Sequence, residues 1–257
     1  MIKLSRLTYA EIDDLARNFG ISSPSEEHSG NAYISMDLLD ETRCAAYLDE
    51  WTKLYRSPSR KVTASLFSKR YAFLVIVPRL YAMTMFNKGF ELPLEECYLE
   101  TASNQIWLPG NAMTALRASE PRTGNREQWR EELLQRLFYD HIAKVWRTLS
   151  KVASIPMPIL WENAAVRVFS LYEKRISGIA ANNNEVRLRL QEDYDYLIRR
   201  ASGSLFGEAD NPFMRFYGEG SLKGCSDSPV RVRKTCCFYY MVPSDEGYCS
   251  NCPRNGS

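Results

Sequence analysis

The sequence predicts an α+β fold, mainly helical, with a small β-hairpin or sheet element and an irregular, cysteine-rich C-terminal module. Three observations carry this reading. Apolar residues recur at three- and four-residue intervals over long stretches, most plainly at Trp129, Leu133, Leu134, Leu137, Phe138, Ile142, Val145, Trp146 and Leu149. One short region around Cys97-Tyr98-Leu99-Glu100-Thr101 and Gln105-Ile106-Trp107-Leu108 alternates apolar with polar residues instead. Finally, four of the seven cysteines fall between Cys236 and Cys252, in a stretch with neither periodicity.

The elements follow in order. Thr8-x-x-Glu11 is a capping box, in which hydroxyl and carboxylate satisfy otherwise orphaned backbone donors. It opens a helix that runs to about Phe19 and ends at Gly20. Residues 21–31, rich in Ser, Glu and Gly, read as a loop. A second helix spans about 36–55 and stops at Ser57-Pro58-Ser59. A third spans about 61–87, with Pro78 expected to kink or divide it and Gly89 to end it. The hairpin follows, turning at Ala102-Ser103-Asn104, then a polar loop through Arg122-Thr123-Gly124-Asn125. Helices are expected at 126–152, at 160–176 after the break Pro156-Met157-Pro158, and at 184–201 before Gly203. From Leu205 onward the pattern is irregular. The chain thus divides into a body, 1–204, with its hairpin near 95–108, and a module, 205–257, packed on it.

Composition excludes some functions. A formal net charge of +2 is too small to predict nucleic-acid binding, which needs clustered basic residues. The most apolar run, 71–78, meets Arg79 well before the roughly 20 residues of a membrane span. Met1-Ile2-Lys3-Leu4-Ser5-Arg6-Leu7 lacks the apolar core of a secretory signal, and Cys44, Cys97 and Cys225 are scattered, so a reducing, cytoplasmic location is expected. No glycine-rich phosphate loop follows an expected strand, and His28 and His141 are too few and too far apart for a hydrolytic triad.

The chemistry lies at the C-terminal end: Arg233-Lys234-Thr235-Cys236-Cys237-Phe238-Tyr239-Tyr240, then Tyr248-Cys249-Ser250-Asn251-Cys252-Pro253. Four soft thiolates are what a tetrahedral zinc or an iron–sulfur cluster takes. Cys249-x-x-Cys252 is a chelating turn. The neighbouring pair Cys236-Cys237 is harder to use, because adjacent side chains of an extended segment point to opposite faces; the backbone must turn sharply there. A two-iron cluster, larger than one ion, suits that awkward geometry better than zinc. Structural zinc and disulfides stay open as alternatives.

The order Cys-Cys, aromatic-rich spacer, Cys-x-x-Cys-Pro, with basic residues before the pair, resembles the FhuF-like ferric-siderophore reductases. The spacer here, Phe238 to Tyr248, is one residue longer than the family's ten. Thr63-Ala64-Ser65-Leu66-Phe67-Ser68-Lys69-Arg70-Tyr71, Pro78-Arg79-Leu80 and the entry Trp161-Glu162-Asn163-Ala164 resemble the same family. The resemblance implies a 2Fe–2S cluster on Cys236, Cys237, Cys249 and Cys252. It also implies one-electron reduction of a ferric siderophore, with an external donor, ferredoxin or a flavin-dependent reductase. Lys69, Arg70, Arg79, Arg167, Arg231, Arg233 and Lys234 are candidates to line an anionic ligand pocket. Lys69, Arg231, Arg233 and Lys234 are the chosen substrate-binding set. Two other readings are an iron–sulfur carrier or sensor that binds no siderophore, and a zinc-stabilised binding protein.

Overall fold

The structure, a computed structural model, describes residues 3–22, 32–100, 106–107, 117–180, 183–218, 222–223, 230–243 and 247–254. In chain order the helices are α1 (Tyr9–Phe19), α2 (Glu41–Leu54), α3 (Arg60–Tyr81), α4 (Arg126–Leu137), α5 (Ala143–Ala153), α6 (Met157–Ser170), α7 (Ile176–Ala180), α8 (Asn184–Asp195) and α9 (Pro212–Phe216). The strands are β1 (Lys3–Arg6), β2 (Ile21–Ser22), β3 (Ala32–Ile34), β4 (Gly89–Phe90), β5 (Tyr98–Glu100), β6 (Ile106–Trp107), β7 (Arg117–Glu120), β8 (Leu222–Lys223) and β9 (Val230–Arg231). The mainly helical α+β class expected from the sequence is what the chain adopts.

The expected strands pair: β5 runs antiparallel to β6, Tyr98 opposite Trp107 and Leu99 opposite Ile106, while the turn expected at Ala102-Ser103-Asn104 lies outside the described residues. The pair is the middle of a sheet ordered β2-β6-β5-β3, beside a second sheet β1-β7-β4 and the ribbon β8-β9. The capping box also forms, Glu11 N–H donating to Thr8 Oγ1 at 3.3 Å and Thr8 N–H to Glu11 Oε2 at 2.7 Å, with Gly20 left-handed at the far end.

Several expectations need correction. Pro78 neither divides nor ends α3, which continues through it into a π turn at residues 82–86. The stop is Asn87, at φ 54°, and not Gly89. Gly89 lies in β4, where a Cβ would stand 2.3 Å from Leu133 Cδ1, so any larger residue there would have to displace the Leu133 side chain of α4. Nor is Pro156-Met157-Pro158 a gap before a helix at 160: it is the first turn of α6, where proline's missing N–H costs nothing. Phe206, Phe213 and Phe216, in the stretch read as irregular, lie in the main core.

The core is organised around α3 against α6. Ala64 and Ala72 on one helix and Ala164 and Ala165 on the other have no exposed surface, and such small side chains let the two backbones approach closely. A buried ion cluster ties α8 to α4: Asp193, fully buried, takes Arg126 at 2.7 Å and Arg130 at 3.1 Å and accepts Thr84 Oγ1 from the π turn after α3.

Candidate metal centre

The α3–α6 pair presents a polar face to the C-terminal segment. Asn163, buried on α6, donates to the Ser65 carbonyl at 2.9 Å and to Ser68 Oγ at 2.8 Å on α3. Ser65 Oγ in turn donates to the Cys237 carbonyl at 2.9 Å. One residue before Asn163, Glu162 is 2% exposed and accepts the Lys234 N–H at 2.5 Å, the Thr235 N–H at 2.8 Å and the Thr235 hydroxyl. Its second role is an ion pair with Arg233 at 3.3 Å, the arginine side chain 1% exposed. The segment leading into Cys236-Cys237 is therefore held directly by Glu162, and Cys237 itself by Ser65, to which Asn163, the neighbour of Glu162, is bonded.

Phe238 takes the left-handed conformation, φ 62°, which supplies the sharp turn the adjacent cysteines require; its N–H donates to Cys236 Sγ at 3.4 Å. The second half is a tight turn closed by Cys252 N–H on the Cys249 carbonyl at 2.9 Å. Asn251 clamps it to the strand before the pair: its amide donates to the Arg231 carbonyl at 2.6 Å, and its carbonyl accepts the Arg233 N–H at 3.0 Å.

These contacts bring Cys237, Cys249 and Cys252 into one buried cluster, separate from the main core, with Tyr239 packed on it. Cys236 beside them is half-exposed. Cys237 and Cys249 share a hydrogen bond between sulfurs 3.4 Å apart. That bond, with the charges of Arg233 and Lys69 against the cost of burial, makes the first proton of the pair easier to lose than that of an isolated thiol and holds the second more tightly. Cys44 and Cys97 lie in the main core, where burial pushes their thiols up to about 12 and about 11. Cys225 and His28 lie outside the described residues. Among the described residues, no group of three or more His, Cys, Asp or Glu side chains is arranged around a single ion.

The cations nominated by sequence separate in space. Arg231 is committed to the body: it pairs with Glu173 at 2.7 Å and stacks over Phe169 and Tyr217, with centroids 4.9 and 4.6 Å away. Lys234 Nζ donates to the Arg215 carbonyl at 2.6 Å. Arg233 lies under the cysteine segment, where Nη2 faces Glu162 Oε2 in the ion pair without a well-formed hydrogen bond and Nη1 is buried with no hydrogen-bond acceptor. Lys69, over the Tyr239 ring at 5.5 Å, feels both the Cys237 and the Cys249 sulfur; burial lowers its pKa and those thiols oppose the shift.

Lys69 and Tyr239 also line a surface cavity of about 610 Å³ with Tyr55, Arg56, Leu66, Arg70 and Arg167. The described residues that line it carry no acid. Arg167 shows the consequence, its pKa lowered by burial and then by the charges of Arg70 and Arg233. Glu162 and Asn163 were not anticipated as site residues. The available signal was their setting, a charged and an amide residue inside the apolar run Ile159-Leu160-Trp161-Glu162-Asn163-Ala164-Ala165-Val166.

The residues fit a 2Fe–2S cluster. Four thiols is the number such a cluster takes, and a buried guanidinium Nη1 with no acceptor of its own near them suits an anionic, sulfur-rich group. Comparison with known families agrees. Residues 233–254 match the FhuF 2Fe-2S C-terminal domain, so the cofactor is a 2Fe–2S cluster. No curated protein matches the chain. Residues 65–223, well over half of the chain, match the family described as ferric iron reductase FhuF-like transporter, and the chain belongs to that family.

Proposed function

We propose that this protein is a cytoplasmic ferric-siderophore reductase, passing one electron to siderophore-bound Fe(III) so that iron leaves as Fe(II). Cys236, Cys237, Cys249 and Cys252 are the proposed ligands of the cluster. When bound there, the 2Fe–2S cluster supplies electrons one at a time. The observation that carries the reading is the shared wall: Tyr239 packs on the cysteine cluster and lines the basic cavity, and Lys69, over its ring, lines the same cavity and feels the Cys237 and Cys249 sulfurs.

The residues divide the work. Lys69, Arg70 and Arg167 attract a ferric complex that carries negative charge and offset its repulsion from the anionic cluster. Tyr239, Tyr55 and Leu66 supply apolar surface for the siderophore's organic frame. Arg233, buried under the cysteines, places a fixed positive charge that favours the more negative, reduced state. Lys234 and Arg231 hold the segment in place through Arg215 and Glu173. Hard anionic oxygen ligands bind Fe(III) far more strongly than Fe(II), so one electron loosens the metal without breaking a covalent bond of the siderophore. An external donor, ferredoxin or a flavin-dependent reductase, must then reload the site. Among the described residues no helix is long and apolar enough to cross a membrane.

The test is anaerobic mixing of the reduced protein with a panel of ferric siderophores while the visible absorption of the cluster is followed. Reoxidation that depends on siderophore concentration supports the reading. Reoxidation by oxygen or by a protein acceptor, with every ferric complex inert, favours a simple electron carrier.

A further inference from the structure

Arg79, in the last turn of α3 and partly buried, differs from the ion-paired arginines of the molecule. Arg126 and Arg130 share Asp193, and Arg233 has Glu162. Arg79 forms no ion pair among the described residues, and both of its hydrogen-bond partners are neutral. Nη2 donates to the Leu92 carbonyl, and Nη1 donates to His141 Nδ1 at 3.2 Å. His141 is 5% exposed, and burial together with the Arg79 charge holds its pKa far below 6.5. With Nδ1 accepting, the ring carries its proton on Nε2 and donates it to Tyr71 Oη at 2.7 Å. The guanidinium is thus fixed in direction without a carboxylate in direct contact, and burial lowers its pKa to about 10, the more distant Glu91 charge opposing the shift. A partly buried cation with no carboxylate in direct contact favours an anion from outside that completes it.

A cavity of about 260 Å³ opens beside it, with Phe90, Leu92, Leu94, Leu133 and Leu137 as apolar walls. Its two acids are already matched: Glu91 pairs with Arg136 at 2.6 Å and Asp140 with Lys144 at 3.7 Å. The charge left over belongs to Arg79. At about 30 Å³ per water-sized group, the space takes roughly nine non-hydrogen atoms. The cavity lies fourteen residues along α3 from Ser65, which is roughly 21 Å at the helical rise, and so is a separate place from the cysteine cluster.

We propose that this cavity binds a small carboxylate with a compact apolar part, its carboxylate received by Arg79 and its hydrocarbon by the leucine and phenylalanine walls. The guanidinium fork matches a carboxylate in shape and charge. A neutral isostere of the same size gains the walls but not the ion pair.

The test uses the full-length, cluster-loaded protein and fluorine NMR of 4-fluorobenzoate, with 4-fluorobenzamide as the neutral isostere. The acid should bind at least about tenfold more tightly than the amide. Arg79→Gln should remove that advantage. Leu94→Trp, which fills the cavity from its half-exposed wall and leaves the guanidinium and its two partners in place, should abolish binding even if Arg79→Gln folds poorly. Arg167→Gln, in the basic cavity near the cysteines, should change nothing. The proposal is overturned by equal binding of acid and amide, by full binding in Leu94→Trp, by loss of binding in Arg167→Gln, or by no binding of the acid up to about 10 mM, which would leave a solvent-filled cavity only.

Discussion

Glu162 Oε2 accepts the backbone N–H of Thr235 at 2.8 Å, across 73 residues of sequence, and so joins helix α6 to the residue before the paired cysteines. The same carboxylate takes the Lys234 N–H and the Arg233 guanidinium, and the Glu162 and Arg233 side chains are both buried. The segment that presents Cys236 and Cys237 therefore depends on one buried charge. Glu162→Ala should cost about 3–5 kcal/mol, because it leaves Arg233 buried and uncompensated. Glu162→Gln, which keeps an acceptor but loses the charge, should cost about 1–3 kcal/mol. Iron and sulfide per chain, with the urea midpoint, measure both; in each variant cluster content should fall together with stability.

Cys236→Ser, Cys237→Ser, Cys249→Ser and Cys252→Ser should each bleach or strongly alter the visible chromophore. Cys44→Ser and Cys97→Ser should keep it, since both thiols are buried in the main core with pKa values that leave them protonated. Cys225→Ser should keep it too, since that cysteine lies apart in sequence from the four. Absorption spectra and metal analysis of the seven variants decide the ligand set.

The basic cavity makes a prediction about charge. Lys69→Gln combined with Arg167→Gln should slow reduction of an anionic ferric complex by about tenfold or more at low salt and flatten its salt dependence, because fewer charges remain to be screened. A cationic hydroxamate complex should be slowed much less. Arg231→Gln should act differently, lowering stability through lost contacts with Glu173, Phe169 and Tyr217 without distinguishing the two complexes. Stopped-flow rates at several ionic strengths separate these effects.

His141 gives the fold an acid sensitivity. In the folded chain it stays neutral far below 6.5, for reasons of burial and the neighbouring Arg79 and Lys144 charges, whereas in the unfolded chain it takes a proton near about 6.5. The unfolded state then binds more protons, so this contribution is complete above that pH and is lost as pH falls, at up to about 1.4 kcal/mol per unit. Urea midpoints between pH 6.5 and 5 should show a slope that His141→Gln reduces.

Much of the architecture is legible in local sequence because the forces that make it are local. The Thr8–Glu11 capping box and the stripe from Trp129 to Leu149 involve neighbours within a turn or two. The π turns escape notice because one extra residue per turn, as at Phe138–Ile142, leaves the apolar stripe nearly intact. Strand β1 escapes because four residues carry little periodicity, and its partner β7 is more than a hundred residues away, Lys3 lying opposite Glu120. At the site, cysteines announce themselves by type and spacing. Glu162 does not, since a carboxylate in a helix ordinarily marks a solvated face, and its real surroundings arise only when α6 meets the C-terminal segment. Lys69 and Arg167 were nameable as cations, but only the packing of α3 beside α6 puts them on one cavity with Tyr239.

The central claim is that the electron held by the cysteine module goes to iron inside a bound siderophore. The most direct measurement is a single-turnover reaction without oxygen, in which protein reduced beforehand is mixed with a ferric siderophore and a chromogenic Fe(II) chelator. The account predicts one Fe(II) captured per cluster reoxidised, at a rate that saturates with siderophore and falls in the Lys69→Gln, Arg167→Gln double variant. Cluster reoxidation without Fe(II), or a rate that never saturates and ignores both substitutions, would contradict it.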